Sequence, residues 1–278
     1  MTAPTETRPA PHRELRAAPS QRAGAGQGWR GIAAAAAFVV LLAGGWQVMA
    51  TALDSVLVPS VPEIGARVVE LALSPGFYAA LGITLLRVAL GFALAFVLGA
   101  AVGIAMGRSP LARRFFEPGV LVGLTVPGLV WALLCVIWFG VDLLNPVLAI
   151  ALSAAPALSL SIYQGTRAID AHLLEMAHVY RFPASYRLRY LWLPSLAPAL
   201  FAGARLGLSL AWKVIVLVEI FGMSSGVGYE INNEFAAQNV AGVLAWTAMF
   251  ALVMAVLEYG VLQGLERRAS RWRKEAHI

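Results

Sequence analysis

Residues 82–107 read GITLLRVALGFALAFVLGAAVGIAMG, an apolar run whose one charged side chain is Arg87. An α-helix rises about 1.5 Å per residue, so about twenty such residues cover the roughly 30 Å hydrocarbon core of a bilayer. Further apolar runs of spanning length lie at residues 31–53, 119–140, 147–166, 195–222 and 241–265. The chain is therefore predicted to be an all-α, polytopic membrane protein with six transmembrane helices in a membrane domain of residues 31–278.

The composition of the chain supports this prediction. Its 278 residues are 59% hydrophobic and 13% charged, whereas soluble domains hold about 45–50% apolar and about 25% charged residues. These values argue against a soluble globular protein. The net charge of +6 comes from basic residues that flank the apolar runs and do not cluster with exposed aromatic residues. The charge therefore indicates membrane topology and not nucleic-acid binding.

Basic residues mark one side of the predicted spans. They precede span one, lie between spans two and three and between spans four and five, and follow span six, whereas the opposite loops hold only Arg67. The positive-inside rule then puts both termini in the cytoplasm. Residues 1–30, which are rich in Ala, Pro, Gln, Gly and Arg, are predicted to be a disordered cytoplasmic tail.

Span one has a second interpretation, as a cleaved signal peptide, because Ala50-Thr51-Ala52 resembles a cleavage site. However, the uncharged run at 31–53 is longer than the about 7–15 residues of a signal h-region, and a long leader precedes it. We therefore favour an uncleaved membrane anchor.

Span two carries a small residue at every fourth position: Gly91, Ala95, Gly99, Gly103 and Gly107. At helical spacing these residues form a flat seam, and such a seam lets another helix approach closely in lipid. Packing within the chain and a dimer contact both fit this pattern, and we favour packing within the chain.

Two local signals refine the spans. Ser60 and Glu63 fit a capping box that opens a short amphipathic helix between spans one and two, expected along the outer membrane surface. Pro127 and Pro156 fall inside spans three and four, where a kink is tolerated if neighbouring groups satisfy the freed carbonyls.

The longest predicted cytoplasmic loop, residues 167–194, has helical periodicity. Ile169, Leu173, Met176 and Tyr180 share one apolar helix face, and Pro183 ends the pattern. A second helical stretch at 185–193 leads directly into span five. The first helix either lies on lipid headgroups or forms a docking surface for a soluble partner.

The motifs of this region resemble a known family. Glu175-Met176-Ala177, with Leu193-Pro194 downstream, resembles the EAA loop in the membrane subunits of bacterial ABC importers. The residues at 203–213 and 222–229, together with Glu219 and the run at 85–92, are similar to the nitrate/sulfonate/taurine branch. The resemblance covers about residues 58–265, with a family core at about 78–265. Two positions depart from the usual EAA pattern: Met176 replaces an alanine, and Arg181 replaces a glycine, so we expect Pro183 to enforce the break between the two short helices instead.

The resemblance implies a type I ABC importer permease fold in the bacterial inner membrane. It also implies a permease dimer, cytoplasmic ATPase subunits and an external solute-binding protein. This chain has no GxxxxGK[ST] phosphate loop, so ATP would be bound by the partner ATPase, and no cofactor by this chain. The residues expected to couple to the ATPase lie in the 167–194 loop: Asp170, Leu173, Leu174, Glu175, Met176, Ala177, Tyr180 and Arg181.

Charged residues inside predicted spans need a partner or a wet cavity, because a charge in hydrocarbon costs at least about 2.5–3.5 kcal/mol. By depth, Arg205 fits a pair with Glu258, and Arg87 fits a pair with Glu219; snorkelling to the interface explains Arg87 and Glu219 nearly as well. Lys213 has no evident partner in the sequence, so it either faces an aqueous pathway for an anion or pairs with a backbone carbonyl or an acid elsewhere in the chain. Trp212, Lys213 and Glu219 are the candidate pathway residues.

Other classes of protein are less well supported. The four histidines are scattered and the single cysteine, Cys135, lies in an apolar run, so we predict no metal site and no catalytic residues. An ATPase-independent secondary transporter or channel is the main alternative, although no convincing internal repeat is visible. An intramembrane enzyme would need a motif such as GxSxG or HExxH, which is absent from the sequence.

Overall fold

The computed structural model describes residues 26–55, 57–262 and 264, and every regular element within them is helical. Two short π-helical segments, at Arg187–Trp192 and Leu257–Leu262, extend neighbouring α-helices. The α-helices are, in chain order, α1 (Gly26–Leu53), α2 (Val61–Leu73), α3 (Pro75–Arg108), α4 (Pro110–Thr125), α5 (Gly128–Phe139), α6 (Leu144–Arg167), α7 (Ala171–Val179), α8 (Ala184–Tyr186), α9 (Leu193–Gly222), α10 (Val227–Ala236) and α11 (Val240–Val256).

The chain divides into two units, of which the first ends at Met49 and the second begins at Ala50. In the first unit, α1 exposes large apolar side chains such as Phe38 and Leu41, as a helix surrounded by lipid does. This helix begins at Gly26, so residues 26–30 of the predicted disordered tail are helical. Extending an existing helix adds one hydrogen bond for each residue fixed, which makes such an extension inexpensive. Residues 1–25 lie outside the described residues.

Helices α3 and α6 form the most extensive helix contact of the second unit, and the small-residue seam of α3 makes it possible. A Cβ atom added to Gly99 would lie 2.6 Å from Leu158 Cβ, and one added to Gly103 would lie 2.6 Å from the Ser159 carbonyl oxygen. Only glycine therefore allows the two backbones to approach this closely. The expected packing of the seam within the chain is confirmed.

Helix α9 packs on α6 as well, again through glycine. A Cβ at Gly207 would come within 2.8 Å of Leu158 Cγ. Leu158 is fully buried, so one side chain of α6 lies between the seams of α3 and α9. These three helices form the framework on which the remaining elements are mounted.

Residues 119–140 do not form one continuous span as predicted. Helices α4 and α5 meet at an angle of 99°, and the residue before the break, Val126, has an extended backbone with ψ of 122°. Pro127 has no N–H to donate, and its ring disfavours the helical conformation of the preceding residue. The expected kink is therefore a complete break.

By length and composition, four helices among the described residues can each cross a membrane, and the bent α4–α5 pair makes a fifth if it counts as one span. Helix α11 is apolar but has 17 residues before its π-helical extension. The predicted count of six spans and the orientation of the termini therefore stay predictions.

The predicted capping box of α2 is confirmed. The Ser60 side chain accepts a hydrogen bond from the Glu63 N–H at 3.4 Å, and the Glu63 carboxylate accepts one from the Ser60 N–H at 2.9 Å. These two bonds satisfy backbone donors that a helix start leaves free.

Candidate functional site

The helix expected in the 167–194 loop is present in the structure as α7. It begins after Asp170, whose side chain accepts a hydrogen bond from the His172 N–H at 2.9 Å. Such an N-cap satisfies one of the donors that the first turn leaves unpaired. Asp170 therefore fixes where α7 starts, and its exposed side chain keeps its coupling role a prediction.

The end of α7 is a Schellman turn, and Arg181 holds the left-handed position. Its φ angle is +50°. The Arg181 N–H donates to the His178 carbonyl and the Phe182 N–H donates to the Ala177 carbonyl, both at 3.0 Å. The expectation that Pro183 replaces the left-handed turn is therefore wrong: the chain keeps the turn and places a non-glycine residue in it. The two carbonyl groups would otherwise lose their hydrogen bonds, which offsets the steric cost of the conformation.

The apolar face of α7 is exposed. Leu173 and Met176 are each 42% exposed and Tyr180 is 70% exposed, while the neighbouring Glu175 carboxylate is also open to solvent. Leu174 is half-buried and Ala177 is buried, so Ala177 supports the turn from inside and offers no contact surface. An exposed apolar face beside an exposed carboxylate fits both roles expected for this helix, contact with lipid headgroups or with a soluble partner.

After the turn that ends α7, the chain enters a long continuous helix. Residues Ala184–Gly222 form a single helical stretch of 39 residues, in which the π-helical segment at Arg187–Trp192 precedes α9. At the helical rise this stretch is roughly 60 Å long. A displacement of its α7 end is therefore carried toward Gly222 without an intervening loop.

A buried polar cluster lies at the Gly222 end of this helix and joins it to α3. Glu219 has no exposed surface, and its carboxylate accepts a hydrogen bond from Arg87 Nη1 at 2.8 Å and from the Gly228 N–H at 2.9 Å. The Thr84 hydroxyl lies 2.9 Å and 3.0 Å from the two carboxylate oxygens. Arg87 also donates to the Ser225 carbonyl at 2.7 Å and to the Ser225 hydroxyl at 2.9 Å.

The structure thus brings Arg87 and Glu219 together as an ion pair. Glu219 is fully buried, whereas the other two candidate pathway residues, Trp212 and Lys213, are half-buried and exposed. A buried pair is retained only when additional hydrogen bonds satisfy both charges, and the surrounding groups supply them here.

Glycines at the start of α10 make room for the cluster. Gly226 has a φ of +107°, and a Cβ there would overlap the Glu219 carboxylate. A Cβ at Gly228 would lie 2.6 Å from the Val216 carbonyl oxygen. The turn before α10 therefore closes directly over Glu219.

Thr84 belongs to this cluster and was not among the predicted site residues, whereas Ser225 and Gly228 lie in the 222–229 run that carries the family resemblance, with no role predicted for them. Thr84 and Arg87 precede Gly91 at helical spacing, so both extend the small-residue seam of α3, and this spacing is a usable signal. The Arg87–Glu219 pair predicted from depth is confirmed, but no signal in the sequence pairs Thr84 with Glu219 or Arg87 with Ser225.

The other intramembrane candidates lie along α9. Trp212 is half-buried and lines an apolar groove between α3 and α9 with a volume of about 860 Å³. Lys213 is exposed, and no described carboxylate forms an ion pair with it. Arg205 and Glu258 are both half-buried, and their pairing stays a prediction.

Comparison with known proteins identifies the family. Residues 95–271 match the family model described as "Binding-protein-dependent transport system inner membrane component". The chain is 33% identical to the putative aliphatic sulfonates transport permease protein SsuC of Bacillus subtilis, over 82% of this chain and 83% of that protein. It is 31% identical to the taurine transport system permease protein TauC of Escherichia coli, over 85% of this chain and 88% of that protein.

A more distant relative broadens the range of solutes that such proteins carry. The formylaminopyrimidine transport permease protein ThiX of Halalkalibacterium halodurans is 25% identical over 86% of this chain and 95% of its own length. The family expected from the EAA motif is therefore confirmed. This chain belongs to the binding-protein-dependent transport system inner membrane component family, and it is an inner-membrane permease of the ABC transporter class.

Proposed function

We propose that this chain is the permease subunit of an ATP-driven importer, and that α7 receives the motion of a cytoplasmic ATPase. The observation that carries the proposal is the exposed apolar face of α7 beside the helix that runs from Ala184 to Gly222. The 167–194 segment is then the coupling loop, with Leu173, Met176 and Tyr180 as its contact surface.

The mechanism follows from the arrangement of these helices. Nucleotide-driven closure of an ATPase pair would displace α7, and the stretch at 184–222 would carry the displacement into the membrane domain. At the far end, the Arg87–Glu219 pair holds α9 to α3, and glycine contacts hold α9 to α6, so a push at the α7 end moves these three helices together. Alternating access of this kind needs a rigid element with two positions and an energy source that favours one of them.

The solute is proposed to be a small anion, delivered by an external binding protein to a homodimer of this permease. The named relatives transport sulfonates and taurine, and both solutes carry a sulfonate group. Within this chain, Lys213 is an exposed cation on an apolar helix, where a charge persists only beside water, a counter-ion or both. We place Lys213 and Trp212 on the pathway.

Co-purification with the partner ATPase tests the coupling surface. Leu173→Arg and Met176→Arg each put a charge into an apolar contact, so each is expected to lower the retention of the ATPase at least about tenfold. His178→Arg is the matched control, because His178 is an exposed residue on the opposite side of α7. Equal retention by all three variants would exclude this face as the docking surface.

A further inference from the structure

The end of the bundle nearest α7 has a small basic pocket between α3, α4 and α6. It has a volume of about 240 Å³ and is lined by Met106, Gly107, Pro110, Arg113, Tyr163 and Arg167. Two guanidinium groups meet the Tyr163 side chain there. Arg113 Cζ lies 5.5 Å from the ring centroid, and Arg167 Nη1 lies 3.4 Å from the hydroxyl oxygen.

The charge of this pocket is only partly neutralised. Arg113 forms a two-pronged ion pair with Glu117, with both N–H···O distances at 3.0 Å, which leaves further N–H donors of its guanidinium unused. Arg167 is exposed, and no carboxylate of the described residues forms an ion pair with it. The pocket therefore has a net positive charge and open hydrogen-bond donors.

A separate apolar crevice lies about one helical turn from the pocket, along the same three helices. It has a volume of about 390 Å³, and its lining includes Val102, Phe116, Gly119, Val120, Ala155 and Ser159. Ser159 is one turn from Tyr163 on α6, and Val102 is one turn from Met106 on α3. The Ser159 hydroxyl donates to the Ala155 carbonyl at 2.7 Å, so it adds no unpaired polar group to the crevice.

The two cavities together match an amphipathic anion. A phosphodiester is bound well by convergent arginine donors, and basic pockets between membrane helices at the cytoplasmic side accept anionic headgroups. The apolar crevice suits an acyl chain, which a small sulfonate or free phosphate does not have. We propose that this pocket and crevice bind one anionic phospholipid, with its phosphate at Arg113 and Arg167 and an acyl chain along α4 and α6.

Lipid titration of the purified full-length chain in neutral detergent tests the headgroup site. Native mass spectrometry would compare phosphatidylglycerol with phosphatidylcholine of the same chain length. Wild type is expected to bind phosphatidylglycerol at least about tenfold more tightly. Arg167→Gln is expected to reduce this preference by about fivefold or more. Arg114→Gln, which removes an exposed arginine of α4 outside both cavities, is expected to keep it.

A second variant separates the guanidinium groups from net charge. Arg113→Gln combined with Glu117→Gln removes an ion pair without changing the charge, and we expect it to lower the preference as well. This double variant also keeps the proposal testable if Arg167→Gln fails to fold, as judged by its size-exclusion profile. An unchanged preference in the folded variants would overturn the proposal.

The binding of an acyl chain in the apolar crevice is tested separately. A Cβ at Gly119 meets no atom within 4 Å, so Gly119→Phe fills the crevice without displacing the backbone and is expected to weaken long-chain phosphatidylglycerol binding at least about tenfold. Gly82→Phe is the matched control, because Gly82 is equally open and lies outside the crevice. If Gly119→Phe binds the lipid as wild type does, or millimolar inorganic phosphate displaces it, the site is an anion site only and the lipid proposal fails.

Discussion

Glu219 shows how much depends on single residues inside the bundle. Its carboxylate is fully buried and accepts hydrogen bonds from α3 and from the start of α10. Glu219 therefore ties three elements together at the end of the 184–222 helix. In the proposed mechanism this attachment makes α3 and α10 move with α9.

Removing Glu219 is expected to be costly because it leaves Arg87 buried without its partner. Glu219→Ala should lower the free energy of unfolding by about 3–5 kcal/mol, measured by denaturant unfolding in detergent. Glu70→Ala is the control, since the Arg67–Glu70 pair on α2 is exposed, and such pairs contribute about 0–1 kcal/mol. Equal losses in the two variants would contradict the role of the buried cluster.

Lys213 carries the prediction about charge selectivity. Replacing Lys213 with methionine removes the exposed cation and should reduce ATP-dependent uptake of a sulfonate at least about tenfold, while Lys213→Arg keeps the charge and should retain most of it. Initial uptake rates in vesicles that contain the complete transporter would measure both. Unchanged uptake by Lys213→Met removes this residue from the pathway.

Among the structural elements, the turn between α7 and α8 contains a residue with a strained backbone conformation. Arg181 occupies a left-handed conformation that costs a non-glycine residue roughly 1–2 kcal/mol. Both hydrogen bonds of the Schellman turn depend on this conformation. A non-glycine residue here gives a turn that opens more readily than the glycine version would.

Arg181→Gly is therefore expected to stabilise the turn by about 1 kcal/mol. Amide hydrogen exchange at the end of α7 should slow by about fivefold, because local opening becomes less favourable. Tyr180→Gly is the control: Tyr180 has a φ of −76°, so glycine gains nothing there and exchange should become faster. Faster exchange in Arg181→Gly would show that the turn is not strained.

Element-scale features differ in how far the sequence predicts them. The seam of α3 and the capping box of α2 follow from spacing within one helix or turn, so local patterns were sufficient. The partner of Arg87, Glu219, was predicted from the depth of the two charges in their spans and is confirmed, whereas the Thr84–Glu219 and Arg87–Ser225 contacts join residues more than 130 positions apart that no spacing rule pairs. Pro127 indicated a kink, but whether a proline bends or breaks a helix depends on the neighbours that satisfy its freed backbone groups.

The proposed route for motion through the whole molecule has three parts: the exposed face of α7, the helix at 184–222 and the Arg87–Glu219 pair. The permease family is established by the comparisons, and motifs in the sequence were specific enough to predict it. The solute, the dimer and the coupling surface are proposals, because each depends on chains that contact this one.

The most direct test of this coupling to a partner ATPase is uptake of radiolabelled taurine or an alkanesulfonate into proteoliposomes. The permease would be reconstituted alone, and in parallel with its partner ATPase, its binding protein and ATP. We predict accumulation only in the complete system, and its loss when Leu173→Arg replaces the wild-type permease. Accumulation by the permease alone would contradict the account and favour an ATPase-independent transporter or channel.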